Sequence, residues 1–317
     1  MRVTSLSQTN DSISYIEQAS ASLSQVQNEV STGVQVSQPS DNPTAFAQIS
    51  QIKTASSQLT AYTQNISSAT TTLNTSTTTL TSVSNLLAQA QQLAQEGANA
   101  GTTGNQTDMA ALATQVNSLV NQALSAANAQ STSGQSLFGG TATGTTPFTV
   151  ATTNSSGQAE TITYNGSDQN ASVITGQNQT VDTSYAGNAV FQQSGSDVFQ
   201  ALIGLRDTLS NTSLSNAQMS TALNQSISQI TAAKTAISTV TGQQGADIDS
   251  LQTLTNTIST TQTNNKTQLN DLQGTDYASA VVQVQTLQTQ LQAIYSMTSE
   301  MLQPGFLSFL QQAQSTA

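Results

Sequence analysis

Six apolar residues stand seven positions apart in the first third of the chain: Ile52, Leu59, Ile66, Leu73, Leu80 and Leu87. A second row, Ala55, Tyr62, Ala69, Ser76, Val83 and Ala90, follows each of them by three. Alternating steps of three and four lay a single apolar seam along an α-helix. Pro43 opens this stretch and Gly97 closes it, with no proline or glycine between. A helix of that length would span roughly 75–80 Å at about 1.5 Å per residue, which no compact core requires. It must lie against a partner of similar length, and the chain supplies one. From Met219 the same steps run through Leu223, Ser226, Ile230, Ala233, Ile237 and Val240. They continue through Gln244, Asp247, Leu251, Leu254 and Ile258 to Leu269 and Leu272. The polar members, with Gly242 and Gly245, weaken this second seam but keep its period.

Shorter seams flank the pair. Near the start, Ile13, Ile16, Ala19, Leu23, Val26 and Val30 share one stripe. Gly33 interrupts it, and Pro39 and Pro43 keep the following segment extended. Asn42 before Pro43 is the expected N-cap of the long helix. Gly97 to Gly104 reads as a loop, after which Met109, Leu112, Val116, Leu119, Ala123 and Ala126 mark a third helix. Beyond Gly139-Gly140 the pattern turns to short strands around Phe148–Val150, Ile162–Tyr164, Val173-Ile174 and Val181. Asn165-Gly166 is the expected hairpin turn. Helix resumes near Asp197 with Val198, Leu202, Leu205 and Leu209. Gly274 punctuates the second long helix. A last helix carries Ala280, Val284, Leu287, Leu291, Ile294, Thr298 and Met301, and Pro304-Gly305 should stop it before the apolar tail Phe306-Leu-Ser-Phe309-Leu310.

These patterns predict a mainly α fold with a β-rich insertion: a long antiparallel, coiled-coil-like helical rod, with terminal helices at one end and a small β domain at the other. The expected domains are residues 1–42 with 273–317 (terminal helices), 43–138 with 196–272 (rod) and 139–195 (β insertion). The hinge falls at Gly33, Pro39, Pro43 and Gly274. The long-helix seams are expected to be internal core, whereas the terminal stripes and the tail with Phe306 and Phe309 read as interaction surface, ordered on assembly.

Composition removes several functions. Only 7% of residues are charged and 4% aromatic, and 5 basic against 16 acidic residues give a formal charge of −11. That balance argues against nucleic acid and anionic membranes as partners. The chain has neither cysteine nor histidine, which excludes disulfides, thiol nucleophiles and histidine-based triads or metal sites. Asp247 with Asp249, and Asp271 with Asp276, read as solvated carboxylates, since no calcium-loop pattern follows them. No catalytic constellation, cofactor motif or metal set emerges. No apolar run reaches the ~18 residues of a membrane span, and the first residues lack the apolar core of a signal peptide, so any export is expected to use another route.

Several motifs then resemble the flagellin superfamily in its hook–filament junction branch. They are Met1-Arg-Val-Thr4, the hinge segment Thr32-Gly33 to Pro43, Ser136-Leu-Phe-Gly-Gly140, Thr163-Tyr-Asn-Gly166, Gly187-Asn-Ala-Val-Phe191, Asp197-Val-Phe199 with Leu205-Arg-Asp207, and Asp276-Tyr-Ala-Ser-Ala-Val281. Pro39 before Ser40-Asp41 separates this hinge from that of common flagellins. The resemblance covers nearly the whole chain and implies a structural, non-enzymatic subunit of the bacterial flagellum. It also implies a ring of copies between hook-associated protein 1 and the first flagellins, reached by flagellar type III export with a cytoplasmic chaperone. Two other readings are a filament flagellin and a Ser/Thr-rich surface adhesin whose insertion binds a ligand.

Overall fold

The heptad spacing of the first third produces one uninterrupted helix. The computed structural model describes the backbone of residues 2–103 and 106–314, and the side chains of residues 10–99 and 106–299. In chain order its elements are α1 (Arg2–Thr32), α2 (Pro43–Thr103), α3 (Gln106–Ala127), β1 (Phe148–Thr153), β2 (Ala159–Tyr164), β3 (Ala171–Gly176), β4 (Gln179–Ser184), α4 (Gly187–Phe191), α5 (Val198–Ser210), α6 (Asn216–Gln273) and α7 (Tyr277–Gln314). They form two compact units, Gln58–Thr260, and Met1–Ser57 with Thr261–Ala317.

Within the first of these units, α2 and α6 run antiparallel. Ile66, Ala69 and Leu73 cluster with Leu251 and Ile258, while Leu80, Val83 and Leu87 cluster with the earlier α6 residues Leu223, Ile230 and Ile237. Leu73, Leu80, Leu87, Leu223, Ile230, Ile237 and Leu251 are fully enclosed, and Ile66 and Ile258 nearly so. Elsewhere along the two rows Ile52, Leu59 and Leu254 are half-buried and Ala55 is exposed. Long helices rich in serine and threonine are uncommon because hydroxyls compete with the backbone. Here many of them bond the carbonyl four residues back, as Thr71 does to Ser67 and Thr235 to Thr231, both at 2.9 Å. The polar face is thereby satisfied within each helix.

Two glycine-based expectations change. Helix α2 does not stop at Gly97 but continues to Thr103. Gly97 is buried, and a Cβ there would stand 2.5 Å from Leu209 Cδ2. It is present for close packing on α5, not to end a helix. Likewise α7 passes through Pro304-Gly305 to Gln314. A proline removes one hydrogen bond from a long helix, and the residues on either side carry it on.

The β-rich segment consists of two separate antiparallel hairpins, β1–β2 and β3–β4. Asn165-Gly166 is not a hairpin turn. The β1–β2 turn is Asn154–Gln158, where Asn154 Oδ1 accepts from the backbone of Ser156 and Gln158 at 3.0 Å each. Asn165 instead follows β2 and bonds back to β1 through the Pro147 carbonyl and Thr149. The Tyr164 ring folds across Gly166, where a Cβ would collide with it. The Tyr164 hydroxyl donates to the Ser167 carbonyl at 2.8 Å and accepts from Gly187 N at 3.1 Å.

A knot of aromatic rings joins β1–β2 to the helices. Phe148 lies 5.2 Å from Phe199 and 5.5 Å from Phe191, and Phe138 meets Phe191 edge-on at 5.0 Å. Asn128, just past α3, pins the start of β1 by donating to the Phe148 carbonyl and accepting from its N–H, both at 2.9 Å. Arg206 of α5 is 1% exposed. It reaches the Ala159 carbonyl at 2.6 Å and Asn117 Oδ1 at 3.3 Å, and pairs with Asp207 at 2.7 Å. The β3–β4 hairpin takes a different course and lies along α2 and α6. Val173 and Val181 pack on the Ile66–Leu73–Leu251–Ile258 cluster, and Asn65 Nδ2 donates to the Ile174 carbonyl at 2.8 Å.

Placing a charge at the enclosed seam should be severe. Leu73→Asp is expected to cost about 3–5 kcal/mol through an unpaired buried carboxylate. The melting midpoint, followed by far-UV circular dichroism, should fall on the order of 10 °C. An unchanged melt would place the seam at a solvent-facing surface.

Candidate assembly surface

The second compact unit contains the terminal stripes. Helix α1 packs against α7, and the two stripes are the faces withdrawn from solvent. Val26, Ala280 and Leu291 are buried, while Ile16, Leu23, Val30, Val284, Leu287 and Ile294 are half-buried. Residues singled out for contact with other subunits thus spend much of their apolar area inside one chain. Ile13 differs, remaining 46% exposed. Met301, Phe306 and Phe309 lie outside the residues whose side chains are described.

A second set of apolar side chains remains uncovered. Tyr15, Tyr277, Val281, Val282, Tyr295 and Met297 are exposed, from 44% for Val281 to 63% for Tyr15. At 100° per residue, Tyr277, Val281 and Tyr295 fall along one line flanking the paired stripe of α7, whereas Val282 and Met297 lie on the opposite side. Together with Ile13 and Tyr15 of α1, they are large apolar side chains that the helix pair leaves uncovered. Counting heptads misses this set because each helix has a stronger stripe beside it. The available signal was tyrosine and valine at solvent-facing positions of a helix with almost no charge to replace them.

The hinge is built from two crossing linkers. Gly33 ends α1 with φ +70° and its N–H on the Glu29 carbonyl at 2.8 Å, as a left-handed C-terminal cap does. A Cβ there would also stand 2.6 Å from the Tyr277 hydroxyl. Val34 then bridges Gly274 in antiparallel fashion. Gln35 N donates to the Gln273 carbonyl at 2.7 Å, and Thr275 N to the Gly33 carbonyl at 3.1 Å. The chain entering α7 is therefore tied to the chain leaving α1. Pro39 occupies the second position of the turn Gln38–Asp41, a site its fixed φ suits. Asn42 Oδ1 caps α2 by accepting from Ala45 N at 3.1 Å, with Pro43 as the first helical residue. Val36, Ala45 and Ile49 bury together beside Phe46, Leu269 and Leu272, seating the linker on the base of α2 and α6.

Asp41 organises this linker. Its Oδ2 accepts from Ser37 N at 2.9 Å, Gln38 N at 3.0 Å and Ser37 Oγ at 3.3 Å. The backbone bonds from Ser37 and Gln38 stabilise the carboxylate and hold its pKa below the usual 3.8. At the other linker Asp276 caps α7, accepting from Ala278 N at 3.0 Å. Among the described residues, no group of three or more His, Cys, Asp or Glu side chains could hold a metal ion.

Comparison with known proteins agrees with this architecture. The family described as the bacterial flagellin N-terminal helical region matches residues 3–143, and the bacterial flagellin C-terminal helical region matches residues 227–310. Flagellar hook-associated protein 3 of Salmonella typhimurium is 24% identical over 316 residues, covering 95% of this chain and 97% of that protein. Among solved structures, flagellar hook-associated protein 3 of Legionella pneumophila superposes with a TM-score of 0.62 at 17% identity, covering 71% of this chain and 98% of that one. FlgL of Bacillus cereus reaches 0.56 at 17% identity, covering 69% and 98%. At such identities the structures establish a shared fold.

The hinge should respond to acid. Because the folded pKa of Asp41 is depressed, its contribution is complete above the ordinary value of 3.8 and is lost as pH falls through the depressed value. A carbon-detected NMR titration should place the Asp41 carboxyl below 3.8, with the Ser37 and Gln38 amides shifting at the same midpoint. Asp41→Asn should remove that shared transition and leave the α2–α6 melt unchanged. A midpoint at or above the ordinary value would mean that the carboxylate is not held by those amides.

Proposed function

Because the chain belongs to the flagellin superfamily, we propose that it is the structural subunit joining hook to filament in the bacterial flagellum. The observation that carries this reading is the joining of the family's two terminal regions. They form one α1–α7 pair, tied together at the Val34–Gly274 bridge and carrying uncovered apolar residues outside. Such a surface needs neighbours, and a tube of stacked subunits provides them. The protein acts by packing, with no chemical step.

In this reading residues 1–42 with 273–317 form the assembly domain. Ile13, Tyr15, Tyr277, Val281, Tyr295 and Met297 supply lateral contacts between copies in a ring. Ile16, Leu23, Val26, Val30, Ala280, Val284, Leu287, Leu291 and Ile294 hold the two terminal helices together. The long helices, residues 43–138 with 196–272, form the next layer, and residues 139–195 are the outer segment. The ring meets hook-associated protein 1 on one side and flagellin on the other. Subunits arrive through the flagellar type III apparatus, escorted by a chaperone that covers the terminal helices.

A junction subunit has two different neighbours along the axis, so its axial interfaces are heterologous and growth stops after one ring. A flagellin stacks on itself without limit. Deleting the gene is expected to leave hooks in place, flagellin in the medium and no attached filaments. Purified protein should not extend into filaments when seeded, and antibody should label only the filament base. Labelling along the whole filament would identify a flagellin instead. Retained ligand binding with no effect on flagella would favour an adhesin.

A further inference from the structure

The α2–α6 seam is interrupted once by polar residues on both helices. Between Leu73 and Leu80, α2 presents Ser76, which is 1% exposed, and between Ile237 and Leu251, α6 presents the fully enclosed Gln244. Gln244 Nε2 donates to Ser76 Oγ at 2.9 Å. The Thr77 hydroxyl is shared between the Leu73 carbonyl at 2.7 Å and Gln244 Oε1 at 3.3 Å. The amide is thus satisfied, but only in this alignment. Sliding either helix by a heptad would set Gln244 against Ala69 or Val83 and strand its donor.

The same layer divides the packing. On one side lies the large cluster containing Leu80, Leu87, Leu223 and Ile237, and on the other lies the smaller one of Ile66, Ala69, Leu73, Leu251 and Ile258. Gly242 and Gly245 flank Gln244 in the middle of a 58-residue helix. A Cβ at either would meet nothing within 4 Å, so no close approach requires them. Each instead loosens the helix locally relative to alanine. Among the described residues, Tyr185 is the one partly buried side chain packed against both clusters. It follows β4, and its hydroxyl donates to Asp247 Oδ2 at 2.5 Å, one turn beyond Gln244. Gln243 Nε2 donates to the other oxygen of Asp247 at 3.3 Å.

We propose that the Ser76–Gln244 layer is a joint built into the α2–α6 pair, and that Tyr185, carried by the β3–β4 hairpin, is the brace that keeps it closed. Water can replace the hydrogen bonds of the polar layer, whereas it cannot replace the contacts of enclosed leucines, so the pair parts most readily there. The small cluster opens as its own cooperative block while the large one stays shut. The glutamine permits this opening and forbids sliding, because only one alignment satisfies it. Val173 and Val181 hold the hairpin on the small cluster, and Tyr185 just beyond it reaches across to the large one.

Hydrogen exchange of the full chain, read by mass spectrometry on overlapping peptides, tests this. Residues 62–73 and 248–258 should form one exchange class, opening more often than 80–94 and 223–240. Loss of one hydrogen bond in Tyr185→Phe should raise exchange in the first class about tenfold and leave the second unchanged. The double variant Gly242→Ala with Gly245→Ala, which fits without collision, should slow the first class only. Ser76→Ala with Gln244→Leu should merge the two classes into one. A single class in the unaltered protein, or equal or absent effects of Tyr185→Phe on the two blocks, would overturn the joint. If Tyr185→Phe fails to fold, the glycine pair decides, and no change in the first class would overturn the proposal.

Discussion

Leu73, Leu80 and Leu87 are fully withdrawn from solvent because α6 and its neighbours lie against them, and most of the fold depends on that contact. A chain with 7% charged residues has few ion pairs to draw on. Its serine and threonine hydroxyls are largely consumed by carbonyls of their own helices, which satisfies them without joining one element to another. Cohesion between elements therefore rests on apolar burial, at about 1.5–3 kcal/mol for each fully buried large side chain. The seam supplies it along α2 and α6. Where β1 and α4 meet α5, the Phe138, Phe148, Phe191 and Phe199 rings take over.

Polar groups in this molecule are used for alignment more than for strength. Arg206 is buried with three kinds of acceptor and fixes α5 against α3 and β2. Asn128 fixes the start of β1 with a reciprocal pair, and Gln244 fixes α2 against α6. Each is costly to misplace, because a buried donor without its partner is penalised more than a satisfied one is rewarded. Two of the motifs singled out in the sequence, Leu205-Arg-Asp207 and Thr163-Tyr-Asn-Gly166, thereby acquire a physical meaning. They hold elements in alignment.

The crossing of the linkers at Val34 and Gly274 has a consequence for assembly. Backbone bonds from Gln35 to Gln273 and from Thr275 to Gly33 make departure from α1 and arrival at α7 a single event. The two terminal helices cannot be oriented independently without breaking those bonds. Asp41 and Asp276, one on each linker, add side-chain hydrogen bonds to nearby backbone amides, Asp41 within its linker and Asp276 at the start of α7. The outer apolar residues of the two helices are consequently held in one fixed relation to each other.

What the sequence alone determined is the part governed by local period. Steps of three and four specify helices and their buried face whatever lies opposite, so Ile66 to Leu87 and Leu223 to Ile258 were legible as seam. The alternation after Phe148 likewise announced strands, and Gly33 with Pro39 and Pro43 announced a break. The tertiary structure decided which partner each face meets. The α1 and α7 stripes look alike whether they pack on each other or on another subunit, because periodicity records burial and not its source. Gly97 resembles a helix end until Leu209 is seen beside it, since glycine serves both a flexible backbone and a crowded one. Asn165-Gly166 has the composition of a hairpin turn, yet the Tyr164 ring closing over Gly166 and the bonds back to β1 assign it another place. Contacts of this kind join residues far apart in the chain, and no local window contains both partners.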